Sequence, residues 1–223
     1  MKRIIICCDG TWNNLDSPQQ TNVVYLAENI ALHDDAENQQ IIYYNAGIGT
    51  HSPILNGLNR LIGGAFGTGL IENVQDCYRF LVFNFEVGDE IFIFGFSRGA
   101  YTARSLGGLI RNCGILPRSK AHEVKTAYEL YASRAPEDHP DLDRSCEFRL
   151  ANCPDYYTGL KELEWRKAKG RYSDNLKRLR IRYVGVWDTV GALGIPNHIP
   201  FSKPINRKHR FHDHALSRAV CSA

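Results

Sequence analysis

No apolar run in the 223 residues approaches the length of about 18 that a membrane-crossing helix needs. The run nearest the N-terminus, Ile4-Ile5-Ile6-Cys7-Cys8, is too short for the core of a signal peptide and suits a buried strand. The expectation is a chain made in the cytoplasm, with export by a route that needs no cleaved signal left open. No C-x-x-C occurs either. The seven cysteines (Cys7, Cys8, Cys77, Cys113, Cys146, Cys153 and Cys221) are odd in number and several sit in apolar patterns, which points to small buried thiols in a reduced compartment. An excess of one charge is also missing. Lys+Arg number 27 against 24 Asp+Glu, for a net charge of +3, and no basic run is interleaved with aromatics. The short fragment Asn206–Arg210 reads as a solvated loop, so no nucleic-acid partner is expected. Internal repeats and low-complexity tracts are absent.

What is present is ordinary globular material, 43% hydrophobic and 23% charged, at a length that suits one domain with a sizeable core. Residues 3–8 read as a continuous apolar strand. Residues 21–32 read as a helix capped by Thr21 or Asn22, with Val23, Val24, Leu26, Ala27 and Ile30 near helical spacing. Residues 41–45 read as a second strand. A glycine-rich loop, 63–69, precedes the clearest helical pattern of the chain: Leu70, Ile71, Val74, Cys77, Tyr78, Leu81, Val82 and Phe85. Gly88-Asp89 makes a turn into a third strand, 91–94. Residues 181–187 form a fourth. Strands without alternation, separated by helices, predict an α/β fold with a parallel sheet covered on both faces. The stretch 114–178 breaks this rhythm with a helix near 119–134 and then a polar, irregular region. Either an inserted cap or lid or a surface excursion with no role accounts for it.

Gly95-Phe96-Ser97-Arg98-Gly99 carries the strongest functional signal. G-x-S-x-G alone is a weak motif. Here it directly follows an apolar strand and directly precedes a helix with small residues at Gly99, Ala100 and Ala103, the context a nucleophile elbow requires. The turn is tight, so the positions two before and two after the serine must be small, as Gly95 and Gly99 are. The serine then stands at a helix N-terminus, where backbone N–H groups favour developing negative charge. The alternative is a tight turn with an idle serine. The loop after the first strand, Asp9-Gly10-Thr11-Trp12-Asn13, should face Ser97. A backbone N–H of Gly10 or Thr11, together with that of Arg98, would make an oxyanion hole; the plain reading is a turn in which Asp9 caps nearby amides, and the two are compatible. Asp188, at the carboxyl end of the fourth strand, is the acid candidate, because parallel sheets keep their chemistry at that edge. A strand-end Asp bonding loop amides is the alternative.

Residues 6–14 (ICCDGTWNN), 42–50 (IYYNAGIGT), 63–70, 88–106 (GDEIFIFGFSRGAYTARSL) and 184–196 (VGVWDTVGALGIP) resemble, in order, the type VI secretion phospholipase effector family. The resemblance covers most of residues 1–215. It implies an α/β-hydrolase with a Ser-Asp-His triad acting on phospholipids or other carboxylic esters, and carries over to Ser97 as nucleophile and Asp188 as acid. It implies a lipid or small-ester substrate, contact with a membrane surface, and a secretion or immunity partner. In that family the catalytic histidine lies past a Phe-His-Asp string, here Phe211-His212-Asp213, so the expectation is a base beyond Ala223 and a sheet truncated after its fourth strand. His198, His209, His212 and His214 do follow Asp188. His212 is the nearest candidate within the chain, although capping or packing is its plainer role. Residues 1–223 are thus read as one hydrolase catalytic domain, incomplete at its C-terminal end.

The rivals are weaker. Cys7-Cys8-Asp9-Gly10-Thr11 echoes the first motif of haloacid dehalogenase phosphatases, but Cys7 stands where their nucleophilic Asp belongs. Residues 63–69 fit neither the P-loop nor G-x-G-x-x-G. His212-Asp213-His214 offers two ligands with no partner cluster, so neither a metal nor a cofactor is expected. The serious alternative is a catalytically inactive binding or interaction domain that keeps the hydrolase sheet.

Overall fold

The computed structural model describes residues 1–47 and 65–189. Strand β1 (Arg3–Cys8) leads through helix α1 (Asn22–Asn29) to β2 (Gln40–Asn45). Helix α2 (Ala65–Asn84), β3 (Glu90–Phe96) and helix α3 (Arg98–Cys113) follow. Then come α4 (Val124–Ala132), α5 (Asp143–Asn152), the two-residue strand β4 (Tyr156–Tyr157), α6 (Leu160–Ala168), the two-residue strand β5 (Lys177–Arg178), and β6 (Ile181–Trp187). The main sheet is parallel throughout, in the order β2-β1-β3-β6. β4 and β5 pair separately.

β1 lies inside this sheet and Ile4 to Cys8 are buried, which is why its sequence shows no alternation. Its two faces enter different cores. Ile4, Ile6 and Cys8 pack with Val74, Cys77, Tyr78 and Leu81 of α2 and Leu106 and Ile110 of α3. Ile5 and Cys7 pack with Val23 of α1, joined by the half-buried Phe94, Phe96 and Trp187. The sheet is therefore the doubly covered α/β sheet expected from the sequence. α1 starts at the expected cap: the Thr21 hydroxyl accepts from the Val24 N–H.

Two local expectations are corrected. α2 begins inside the glycine-rich stretch, at Ala65, so Gly67 and Gly69 are helical. Each glycine disfavours a helix interior by about 1 kcal/mol. The amphipathic run that follows extends the helix against that local preference by packing its apolar face. The region after residue 134 is not irregular: it forms α5 and α6. Their buried positions include Ser145, Arg149, Asn152, Glu162 and Arg166, so polar side chains occupy the inward face and erase the apolar period. Arg149 and Arg166 both bind Glu162, at 2.6 and 2.7 Å, and all three are at most 1% exposed. Arg149 also donates to the carbonyls of Asn112, Arg111 and Pro140, and Arg166 to those of Tyr156, Pro154 and Cys153. The network ties this segment to the C-terminal turn of α3. Among the described residues, no helix is long and apolar enough to cross a membrane.

Candidate active site

The chain passes from β1 out to β2 and then back across β1 to β3, so the loops leaving β1 and β3 diverge at the carboxyl edge of the sheet. An open parallel sheet has its crevice at such a reversal. One residue, Ser97, joins β3 to α3, with φ 53° and ψ −116°. A side chain rarely adopts this conformation, and it is held here on every side. A Cβ on Gly95 would lie 2.4 Å from the Gly99 carbonyl oxygen. A Cβ on Gly99 would lie 2.2 Å from the carbonyl oxygen of Cys8 and 2.5 Å from that of Asp9. The first turn of α3 thus rests on the end of β1, and only glycine permits the approach. The Ser97 N–H donates to the Trp187 carbonyl at 2.9 Å, and its side chain makes no capping bond to α3.

The β1 loop is organised by Asp9. Its buried carboxylate accepts from the Gly10 N–H at 2.7 Å, the Thr21 hydroxyl at 3.0 Å and the Tyr44 hydroxyl at 2.6 Å. Burial, and then the bond to Asp9, push the Tyr44 phenol far above its usual range. Burial also pushes the Cys7 thiol up to about 12, with the nearby Cys8 and Asp9 adding to it. The Asn13 N–H closes a turn on the Gly10 carbonyl at 3.0 Å, and the Gly47 N–H reaches the Asn13 carbonyl at 2.9 Å. Gly10 packs on Phe96, the residue before Ser97: a Cβ there would be 2.8 Å from the ring. The half-buried Arg98 guanidinium lies 5.8 Å from the centroid of the Trp12 ring, and desolvation lowers its pKa.

Of the two oxyanion candidates on this loop, the Gly10 N–H is engaged by Asp9 in this conformation. The Thr11 hydroxyl is buried with no hydrogen-bond partner among the described residues. Asp188 follows Trp187, which pairs with Phe96, so Asp188 and Ser97 leave neighbouring strands at one level. Asp188 is exposed and has φ 47°. His198, His209, His212 and His214 lie outside the described residues. The described histidines are elsewhere: His33 bridges to Gln39, and His122 and His139 lie near Glu123 and Asp141. Among the described residues, no group of three or more His, Cys, Asp or Glu side chains is arranged to hold a metal.

Sequence reasoning did not anticipate the exposed, left-handed Trp12 or the Arg149–Glu162–Arg166 network. Glu162 and Arg166 stand one helical turn apart, which was legible, but the same spacing marks any solvated helix face.

These features define an α/β protein with a serine at the carboxyl edge of a parallel sheet, where the chain order reverses. The chain belongs to the family of the T6SS phospholipase effector Tle1-like catalytic domain, which it matches over residues 2–223. It is also 31% identical over 204 residues to the uncharacterized protein YEL023C of Saccharomyces cerevisiae. That match covers 87% of this chain and 27% of the yeast protein, so the chain spans about a quarter of that relative's length. No solved structure matches it.

Proposed function

We propose that the chain is the catalytic part of a serine hydrolase that cleaves carboxylic esters of phospholipids. The observation that carries the reading is Ser97, held with φ 53° between β3 and α3 at the crevice of the sheet. Membership in a phospholipase effector family supports the lipid substrate. In this reading Gly95 and Gly99 are the small flanks of a nucleophile elbow. The Ser97 hydroxyl attacks the ester carbonyl while a base takes its proton. The oxyanion is met by the backbone N–H of Arg98 and that of Thr11, or of Gly10 once Asp9 releases it. Collapse expels the lysolipid alcohol, which takes the proton from the base, and leaves an acyl group on Ser97. Water, activated by the same base, then frees the fatty acid. Asp188 orients the base and stabilises its charged form. The base is a histidine outside the described residues, His212 or another of those after Asp188. A secretion or immunity partner follows from the family reading as well.

A fluorophosphonate probe tests the proposal in the full protein. Labelling at Ser97, lost in Ser97→Ala and strongly slowed in Asp188→Asn, is the expected result. An unlabelled Ser97 in a folded protein would sink the hydrolase reading and favour a non-catalytic binding role.

A further inference from the structure

The turn that closes on the Gly10 carbonyl has Trp12 as its third residue, with φ 63°. Glycine or asparagine is the usual occupant of a left-handed third position, and a bulky aromatic there is an outlier. The turn cannot relax, because its backbone is gripped. Gly47 sits so close that a Cβ on it would be 1.5 Å from the Gly10 oxygen, Phe96 fills the space over Gly10, and Asp9 holds the Gly10 N–H. Yet the indole is only partly covered. It is 53% exposed, and Leu15 on the same loop is 49% exposed. Backbone strain that leaves an indole half exposed calls for a use outside the fold. Beside the ring is the Arg98 guanidinium, 5.8 Å from its centroid, on the residue that follows Ser97.

We infer that Trp12, with Leu15, seats the Ser97 crevice on a phospholipid surface, with the indole at the headgroup–acyl boundary and the Arg98 cation facing the lipid phosphates. The choice of occupant rests on the hydrolase reading above. Charge and size both favour it. An indole has an apolar body and one polar N–H, the composition enriched at bilayer interfaces, and a neighbouring cation complements phosphate. A second copy of the chain is a poor occupant. One Trp and one Leu bury a few hundred Å² at most, against roughly 800 Å² per partner in a stable interface.

The test uses vesicles of phosphatidylcholine mixed with phosphatidylglycerol and the full protein carrying Ser97→Ala, so that no lipid turns over. Trp165→Phe and Trp187→Phe leave Trp12 as the fluorophore of this chain. Vesicles are expected to shift its emission to the blue, and brominated acyl chains to quench it. In the otherwise native chain, Trp12→Asn is expected to lower vesicle co-sedimentation by about tenfold or more. Its thermal midpoint should stay level or rise, because asparagine suits the left-handed turn. Binding without a change in Trp12 emission overturns the inference, as does undiminished binding by Trp12→Asn. So does a blue shift that depends on protein concentration and not on lipid. A lowered midpoint with unchanged binding makes Trp12 a structural residue and also overturns it. Fluorophosphonate labelling of the Ser97 protein is read separately: vesicle insertion without labelling fails the hydrolase reading alone, and labelling without insertion fails this inference alone.

Discussion

Ser97 and Asp188 end adjacent parallel strands side by side, and both are left-handed, with φ 53° and 47°. The two turns are stitched together by the Ser97 N–H, which donates to the carbonyl of Trp187, the residue before Asp188. A non-glycine residue in such a conformation costs about 1–3 kcal/mol and persists when its surroundings over-determine it. Glycine would be cheaper at both places. That side chains stand there, on neighbouring strand ends at a sheet crevice, is the structural ground for assigning them chemistry.

Replacing Ser97 separates strain from function. Ser97→Gly is expected to stabilise the fold by about 1 kcal/mol or more, because glycine tolerates φ 53°. For a chain of this size that is a rise of roughly 2–4 °C in Tm per kcal/mol. Ser97→Ala brings no such gain. Both variants are expected to lose ester hydrolysis by on the order of 10³-fold or more. Differential scanning calorimetry and a p-nitrophenyl ester assay on the full protein measure the two effects.

Gly99→Ala is expected to do the opposite of Ser97→Gly. The added methyl would meet the Cys8 and Asp9 carbonyl oxygens at 2.2 and 2.5 Å, and these are backbone atoms that cannot swing away. The first turn of α3 must lift off β1, at a cost of about 1–3 kcal/mol or more. Labelling of Ser97 should fall with it. A variant with the parent's urea midpoint and labelling rate would show that the contact is looser than described.

Glu162→Gln is expected to be severe although it lies far from Ser97. Glu162 is shared by Arg149 and Arg166, and the change leaves two guanidinium groups with no carboxylate at 1% exposure or less. Removing one partner of a buried ion pair costs about 3–5 kcal/mol. Urea unfolding measures it. Since the group is buried, adding salt should change the parent's stability little.

Alkaline pH is expected to weaken the fold. Burial raises Cys146 and Cys153 to about 11 and Cys7 to about 12, from an ordinary value of 9.0. Above pH 9 the unfolded chain gives up these protons while the folded chain keeps them. The stabilisation is therefore fully present below about pH 9 and is lost as pH rises toward 11–12. Each thiol adds a slope of about 1.4 kcal/mol per pH unit across that window. Urea midpoints should drop steadily over it, less steeply in Cys153→Ala. A flat profile would show that the thiols are not held protonated.

β1 was legible because a fully buried strand needs consecutive apolar residues, as in Ile4-Ile5-Ile6-Cys7-Cys8, and β2, β3 and β6 were legible from apolar, β-branched and aromatic runs although each is only partly buried. The turn at Ser97 was legible because a steric requirement on residues two apart in each direction is written locally, as Gly95 and Gly99. α5 and α6 were not legible. Their inward faces are held by Arg149, Asn152, Glu162 and Arg166, and a buried charge looks like an exposed one until its partners are known.

By itself the sequence determined the α/β class, the parallel strands and the tight serine turn, since each follows from local sterics or from a run of side chains that must leave water. Tertiary structure alone decided the strand order β2-β1-β3-β6, which brings Asp188 level with Ser97, and the seating of Gly99 on the end of β1. It also decided that Trp12 faces outward beside Arg98. These depend on pairing between segments far apart in the chain, and the energy of such pairing lies in packing that neither segment's residues encode alone.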